Sequence, residues 1–240
     1  MIKTLVRIGL GAAALIAVLA IIVVVRTLSY GPQTQAAASI DLPEPPEIDA
    51  LAAAERLGEA IRMRTITVAP GDPRPGQEGP WLQLHDWLEA TYPAAHGAMS
   101  RERVGETLTL LYTWPGSDRT PDPLLLMAHQ DVVPVNIGTE DDWTAPPFSG
   151  EIVDGYVFGR GAIDDKGSLV ALMEAAEALA REGFQPRRTV HFLFGHDEEV
   201  SGSGAAAVVQ LLKSRGVRPV MALDEGFMSV FPSLLTGKPM

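Results

Sequence analysis

Hydrophobic and polar positions along the chain follow two periods, and they divide it into a short apolar head and a longer patterned body. From Ile8 to Val25 no charge interrupts 18 residues, with Lys3 and Arg7 before them and Arg26 after. A helix of that length is roughly 27 Å long, close to the thickness of a membrane's hydrocarbon core. "DALAAAERLGEAIRM" then repeats apolar residues at helical spacing (Leu51, Ala54, Leu57, Ile61), and "WLQLHDWLEATY" does the same with Trp81, Leu84, Trp87 and Leu88. Between them "APGDPRPGQEGP" reads as a loop by its proline and glycine content. Beyond, short apolar runs alternate with amphipathic ones. "TLTLLYTW", "PLLLMAHQ", "RTVHFLFGHDEE" and "RPVMALDEG" are predicted strands; "KGSLVALMEAAEALAREG" and "GSGAAAVVQLLKSRG" are predicted helices. The alternation predicts an α/β fold, a mainly parallel sheet covered by helices. There is no internal repeat.

Three segments follow. Residues 1–30 are expected to form a signal anchor or transmembrane segment, and 31–49, with the acidic and proline-rich "DLPEPPEID", a linker that cannot pack a core. Residues 50–240 are the expected catalytic-type domain. The basic residues before the apolar head predict a cytoplasmic amino terminus and an exported body. A cleavable signal peptide is the rival, with "QAAAS" as a small-residue site, and it too exports the domain. The length of the apolar stretch favours the uncleaved anchor.

Composition narrows the chemistry. A formal net charge of −11 argues against a nucleic-acid partner, which needs a basic footprint. There is no cysteine, so disulfides and thiolate sites are excluded and any metal must be held by nitrogen and oxygen. The predicted strands supply those atoms at their carboxyl ends, where open α/β sheets bind ligands. One ends in His129 and Asp131, which two-residue alternation puts on one face. Others end in Asp197, Glu198 and Glu199, and in Asp224 and Glu225. "GRGAIDDKG" adds Asp164 and Asp165 just before a helix. Alone, His129 and Asp131 read as a strand-end histidine with a solvated acid. Together, the acids converge on one sheet edge, which is costly unless cations occupy it.

The ordered motifs His-x-Asp, Gly-Arg-Gly-x-x-Asp-x-Lys-Gly, Asp-Glu-Glu and Leu-Asp-Glu-Gly resemble the di-zinc amidohydrolase and exopeptidase family of aminoacylase, carboxypeptidase S, glutamate carboxypeptidase and succinyl-diaminopimelate desuccinylase. "DDWTAPPFSGEIVDGYVFGRGAIDDKGS" and "GHDEEVSG" are most similar to the carboxypeptidase S and N-fatty-acyl-amino-acid synthase/hydrolase group. The resemblance runs from about Leu51 to the end of the chain. It implies a three-layer α/β/α zinc-exopeptidase-like domain that hydrolyses an amide bond in a peptide or N-acyl amino acid with a free carboxylate. It implies two zinc ions, replaceable by Co²⁺ or Mn²⁺. His129 would be a ligand of the first zinc, Asp131 the acid that orients it, and Asp164 the carboxylate shared by both metals. The peptide between Asp164 and Asp165 would be cis, as family members often hold it. Glu198 would be the general base and Glu199 a ligand of the second zinc. Either Asp224 or Glu225 would complete the first zinc, and the carboxypeptidase S likeness favours Asp224.

Trp143 and Phe148 would shape a substrate entrance or fill a loop core. His85 and His96 read as ordinary helix and loop residues, and Lys166, Arg160, His191, His196 and Asp197 as structural support. Family members continue past this length through a lid or dimerisation domain to a further histidine. The chain is therefore expected to be an amino-terminal portion, doubtful as a catalyst by itself, with no expectation of oligomeric state. The alternative is a membrane-tethered, non-catalytic metal-binding or interaction module. The presence of every motif acid favours an enzyme over that alternative.

Overall fold

The computed structural model describes residues 2–29 and 44–226. The amino-terminal part and the body form two compact units, taken here separately. In the first, α1 (Ile2–Ser29) contains a 21-residue stretch, Gly9–Ser29, with a mean hydropathy of 2.5, long and apolar enough to cross a membrane. Residues 30–43, holding most of the expected linker and the whole "QAAAS" stretch, lie outside the described residues, and 44–49 form no regular element.

The body runs α2 (Ala50–Arg62), α3 (Gly79–Thr91), α4 (Pro93–Ala98), β1 (Ser100–Arg103), β2 (Leu110–Trp114), β3 (Leu124–His129), β4 (Glu151–Val153), β5 (Tyr156–Phe158), α5 (Lys166–Arg181), β6 (Val190–Gly195), α6 (Ser203–Ser214) and β7 (Met221–Leu223). Five strands form one sheet in the order β1-β2-β6-β3-β7. The sheet is mixed. β3 pairs in parallel with β6 and β7, whereas β2 is antiparallel to β6 and β1 antiparallel to β2. The expectation of a mainly parallel sheet is corrected here. The reason is local: α2, α3 and α4 precede β1, and the short connection from β1 to β2 permits a hairpin and no crossover.

Alternation along the strands sorts the core. Leu110, Tyr112, Ala128, Phe192 and Phe194 pack with Leu169 and Met173 of α5 and with α2, α3 and α4. Leu111, Leu125 and Leu193, one residue out of step, pack with Val208 and Leu212 of α6. α2 starts at Asp49, whose carboxylate accepts from the N–H groups of Leu51 and Ala52. Its middle passes so close to the loop before β4 that a Cβ on Gly58 would lie 2.4 Å from the carbonyl oxygen of Gly150. Separately, β4 and β5 make a two-residue hairpin at Asp154 (φ 50°) and Gly155 (φ 83°), the left-handed pair that an Asp-Gly turn supplies.

Candidate metal centre

His129 closes β3, and the parallel pairing with β6 sets it opposite Gly195, so the residues after both strands leave the sheet side by side. Gln130 continues the ladder by donating its N–H to Gly195 O (2.7 Å), and its buried amide reaches Leu108 O, Phe194 O and His85 Nε2. His85 is therefore a buried partner of this strand end rather than a helix-surface residue. The three-residue 3₁₀ turn Glu198–Val200 follows β6 and presents Glu198, exposed, and Glu199, half-buried.

Asp131 organises the group. Fully buried, it stands 3.3 Å through Oδ1 from His129 Nδ1. The same oxygen accepts the N–H of Glu198 (3.0 Å), and Oδ2 accepts the N–H of Glu199 (3.1 Å) and the hydroxyl of Thr67 (2.7 Å). His129 Nδ1 also lies 3.0 Å from the Asp131 carbonyl oxygen. Donation from Nδ1 leaves Nε2 to face outward, the orientation a carboxylate gives to a metal-binding imidazole. There it meets Asp164 Oδ1 at 2.8 Å and Glu225 Oε1 at 3.3 Å. Ligand atoms of His129, Asp164 and Glu225 all lie within 4.8 Å of one another. Asp164 leads into α5 through a cis peptide to Asp165, whose buried carboxylate accepts the N–H of His129 (3.2 Å).

Of the two acids after β7, the structure brings Glu225 to His129 and Asp164, and not the favoured Asp224. Neighbours in extended chain point to opposite sides. Asp224 Oδ1 accepts the N–H of Glu225 (3.0 Å), and Asp224 lines a cavity of about 150 Å³ with His129, Glu198, Met127 and Leu193.

The electrostatics are those of a crowded anionic site. Burial works against a charged His129, yet Asp131, Asp165 and Glu225 outweigh it and raise the ring to about 10. Burial, then the neighbouring acids Asp164, Asp165 and Glu198, push Glu225 up to about 7 despite His129. Burial and Asp164 likewise raise Glu199. Without a cation the cluster relieves its charge by holding protons; a cation at Nε2 would replace one of them. One imidazole nitrogen among carboxylate oxygens suits zinc, and also Co²⁺ or Mn²⁺.

The remaining polar residues of the motifs brace this arrangement. Asp197 is buried and caps α6, accepting the N–H groups of Ser203 (3.0 Å) and Gly204 (2.9 Å). Lys166, also buried, donates to the carbonyls of Ala60 (2.9 Å) and Met63 at the end of α2. His196 Nδ1 meets Thr109 Oγ1 at 2.7 Å, and His191 Nδ1 meets Thr113 Oγ1 at 3.0 Å. The guanidinium of Arg160 lies 5.2 Å over the Trp143 ring, and that of Arg64 lies 4.9 Å over Phe148.

A mixed sheet flanked by helices, with a histidine and acids gathered at one strand-end edge, defines a metallopeptidase-like class. Residues 125–238 match the model of peptidase family M20/M25/M40 and carry a peptidase M20 domain. It is 42% identical over 196 residues to carboxypeptidase S of Saccharomyces cerevisiae, covering 77% of this chain and 34% of that protein. It is 36% identical over 217 residues to the N-fatty-acyl-amino acid synthase/hydrolase PM20D1 of Homo sapiens, covering 89% and 42%. Among solved structures, human carnosine dipeptidase 1 superposes with a TM-score of 0.55 at 21% identity, over 77% of this chain and 43% of that one. The M20 metallo-carboxypeptidase Sso-CP2 of Sulfolobus solfataricus gives 0.54 at 21%, over 73% and 37%. The chain thus spans about a third to two fifths of these relatives.

Proposed function

We propose that the body carries the metal-binding half-site of a zinc-dependent amidohydrolase of carboxypeptidase or aminoacylase type, on a three-layer α/β/α scaffold. Its substrate would be a small molecule, a peptide or N-acyl amino acid with a free carboxylate. The observation behind this reading is the meeting of His129 Nε2 with Asp164 and Glu225, locked by an Asp131 that also carries the amides of Glu198 and Glu199. His129, Asp164 and Glu225 would hold one zinc, and Asp164 and Glu199 would contribute to a second. Zinc bound there would polarise the amide carbonyl and acidify a water. Glu198, exposed beside His129 and free of that duty, would take the proton from the attacking water and pass it to the leaving amine. Asp131 would keep His129 in the required tautomer. The apolar Gly9–Ser29 helix would tether the chain to a membrane and leave the body on the exported side. Alkaline carbonate should leave the protein in the membrane pellet, and release into the supernatant would argue for a cleaved signal.

The test uses the protein purified from its own gene, with zinc counted per chain and free amino acid released from N-acyl substrates. Glu198→Gln should lower turnover by about 10²–10⁴-fold and leave zinc content unchanged, since the residue is a base and not a ligand. Zinc lost in step with activity would mean that the two glutamates are wrongly ordered. Zinc held without turnover by the unaltered protein would favour a non-catalytic module.

A further inference from the structure

The Asp131 carboxylate accepts three hydrogen bonds, two of them from the amides of Glu198 and Glu199 at the centre itself, and stands 3.3 Å from His129 Nδ1. The third comes from elsewhere. Thr67 lies in the segment after α2, in none of the four motifs, and its hydroxyl donates to Asp131 Oδ2 at 2.7 Å. That hydroxyl is aimed by backbone bonds: Val132 N–H donates to Thr65 O (3.0 Å) and Thr67 N–H to Val132 O (3.1 Å), forming a short parallel bridge beside the strand end. The bridge is fixed at its start by Lys166, which ties the carbonyls of Ala60 and Met63 to the first turn of α5. With Oδ1 accepting one hydrogen bond and Oδ2 two, the rotamer of the carboxylate is determined. Without the hydroxyl, a buried anionic oxygen would keep one donor and be free to turn.

We propose that Thr67 is a positioning residue for the centre, holding Asp131 so that one carboxylate sets the His129 ring and the Glu198–Glu199 turn together. Its effect on zinc rests on the function proposed above; its effect on the turn does not. The full-length protein, in detergent and without added metal, is compared with Thr67→Val, Thr67→Ala and Thr67→Ser by amide hydrogen exchange. Unfolding midpoints and zinc titration are measured on the same samples. Thr67→Val and Thr67→Ala should speed exchange at the Glu198 and Glu199 amides about tenfold or more relative to sheet amides such as Phe194. They should also weaken zinc by about 10–100-fold, as loss of an outer partner does. Thr67→Ser should restore both. Unchanged exchange at the two amides in a folded Thr67→Val or Thr67→Ala would overturn the proposal. So would equal losses in all three variants that track the midpoint, because the methyl and not the hydroxyl would then matter. An unaltered protein that binds no zinc but shows the expected exchange pattern would sink the functional reading and leave Thr67 in its role.

Discussion

A buried carboxylate with three donors has little freedom, and Asp131 uses that rigidity to join two motifs that lie far apart in the chain. Much of this was legible in the residues. Two-residue alternation put His129 and Asp131 on one face, and the strand ends put the glutamate pair nearby. The choice between Asp224 and Glu225 was not legible, because it depends on which way the chain turns after β7. Thr67 was hidden for a similar reason: a threonine in "RTITV" carries no signal until its hydroxyl is seen on Asp131. The geometry makes a sharp expectation about the two acids. Glu225→Gln should weaken zinc by more than the about 100-fold that an outer partner can cost, whereas Asp224→Asn should change it only slightly. Calorimetric titration of both variants decides it, and the reverse order would return the role to Asp224.

At the scale of elements, periodicity located α2, α3, α5, α6 and the strands β2, β3, β6 and β7 to within a few residues. β1 escaped because Ser-Arg-Glu-Arg has no apolar alternation, being an edge strand half open to solvent. α4, six residues behind a proline, is too short for a helical period. The β4–β5 hairpin did have a signal, the Asp-Gly pair between Ile-Val and Tyr-Val. Tight approaches between elements set their tolerance to change. Alanine at Gly58 would gain about 1 kcal/mol of helix propensity. It would also drive a Cβ to 2.4 Å from a backbone oxygen that cannot move aside as a side chain would. Overpacking of that kind costs about 1–3 kcal/mol, so Gly58→Ala should lower the urea midpoint. A raised midpoint would mean that α2 slides freely on the Gly150 loop.

At the scale of the whole molecule, four histidines are buried in the body, and desolvation holds three of them, His85, His191 and His196, below the ordinary 6.5. Above pH 6.5 they are neutral in both folded and unfolded chains and contribute no pH dependence. As pH falls below 6.5 the unfolded chain takes up protons that the folded chain resists, so stability declines until the lowered folded values are passed. These three histidines therefore favour pH 7.5 over pH 5.5, against the raised His129 and Glu225, which favour the lower pH. The denaturant midpoint at pH 7.5 less that at pH 5.5 should fall in His191→Phe; an unchanged value in that variant would mean that His191 carries none of the pH dependence.

The parallel ladder of β3 and β6 carries a kinetic implication. It sets Leu124 opposite Val190, and the candidate donors run from His129 to Glu225, so no local segment of the chain contains the centre. Loop closure must come first, and contacts between such distant residues form slowly. Newly made chain would pass through a period in which its acids are present but dispersed, with little hold on a cation. Cation capture would then mark the end of folding and cannot nucleate it. Once captured, the ion would act as a crosslink between the ends of β3 and β7 and the start of α5.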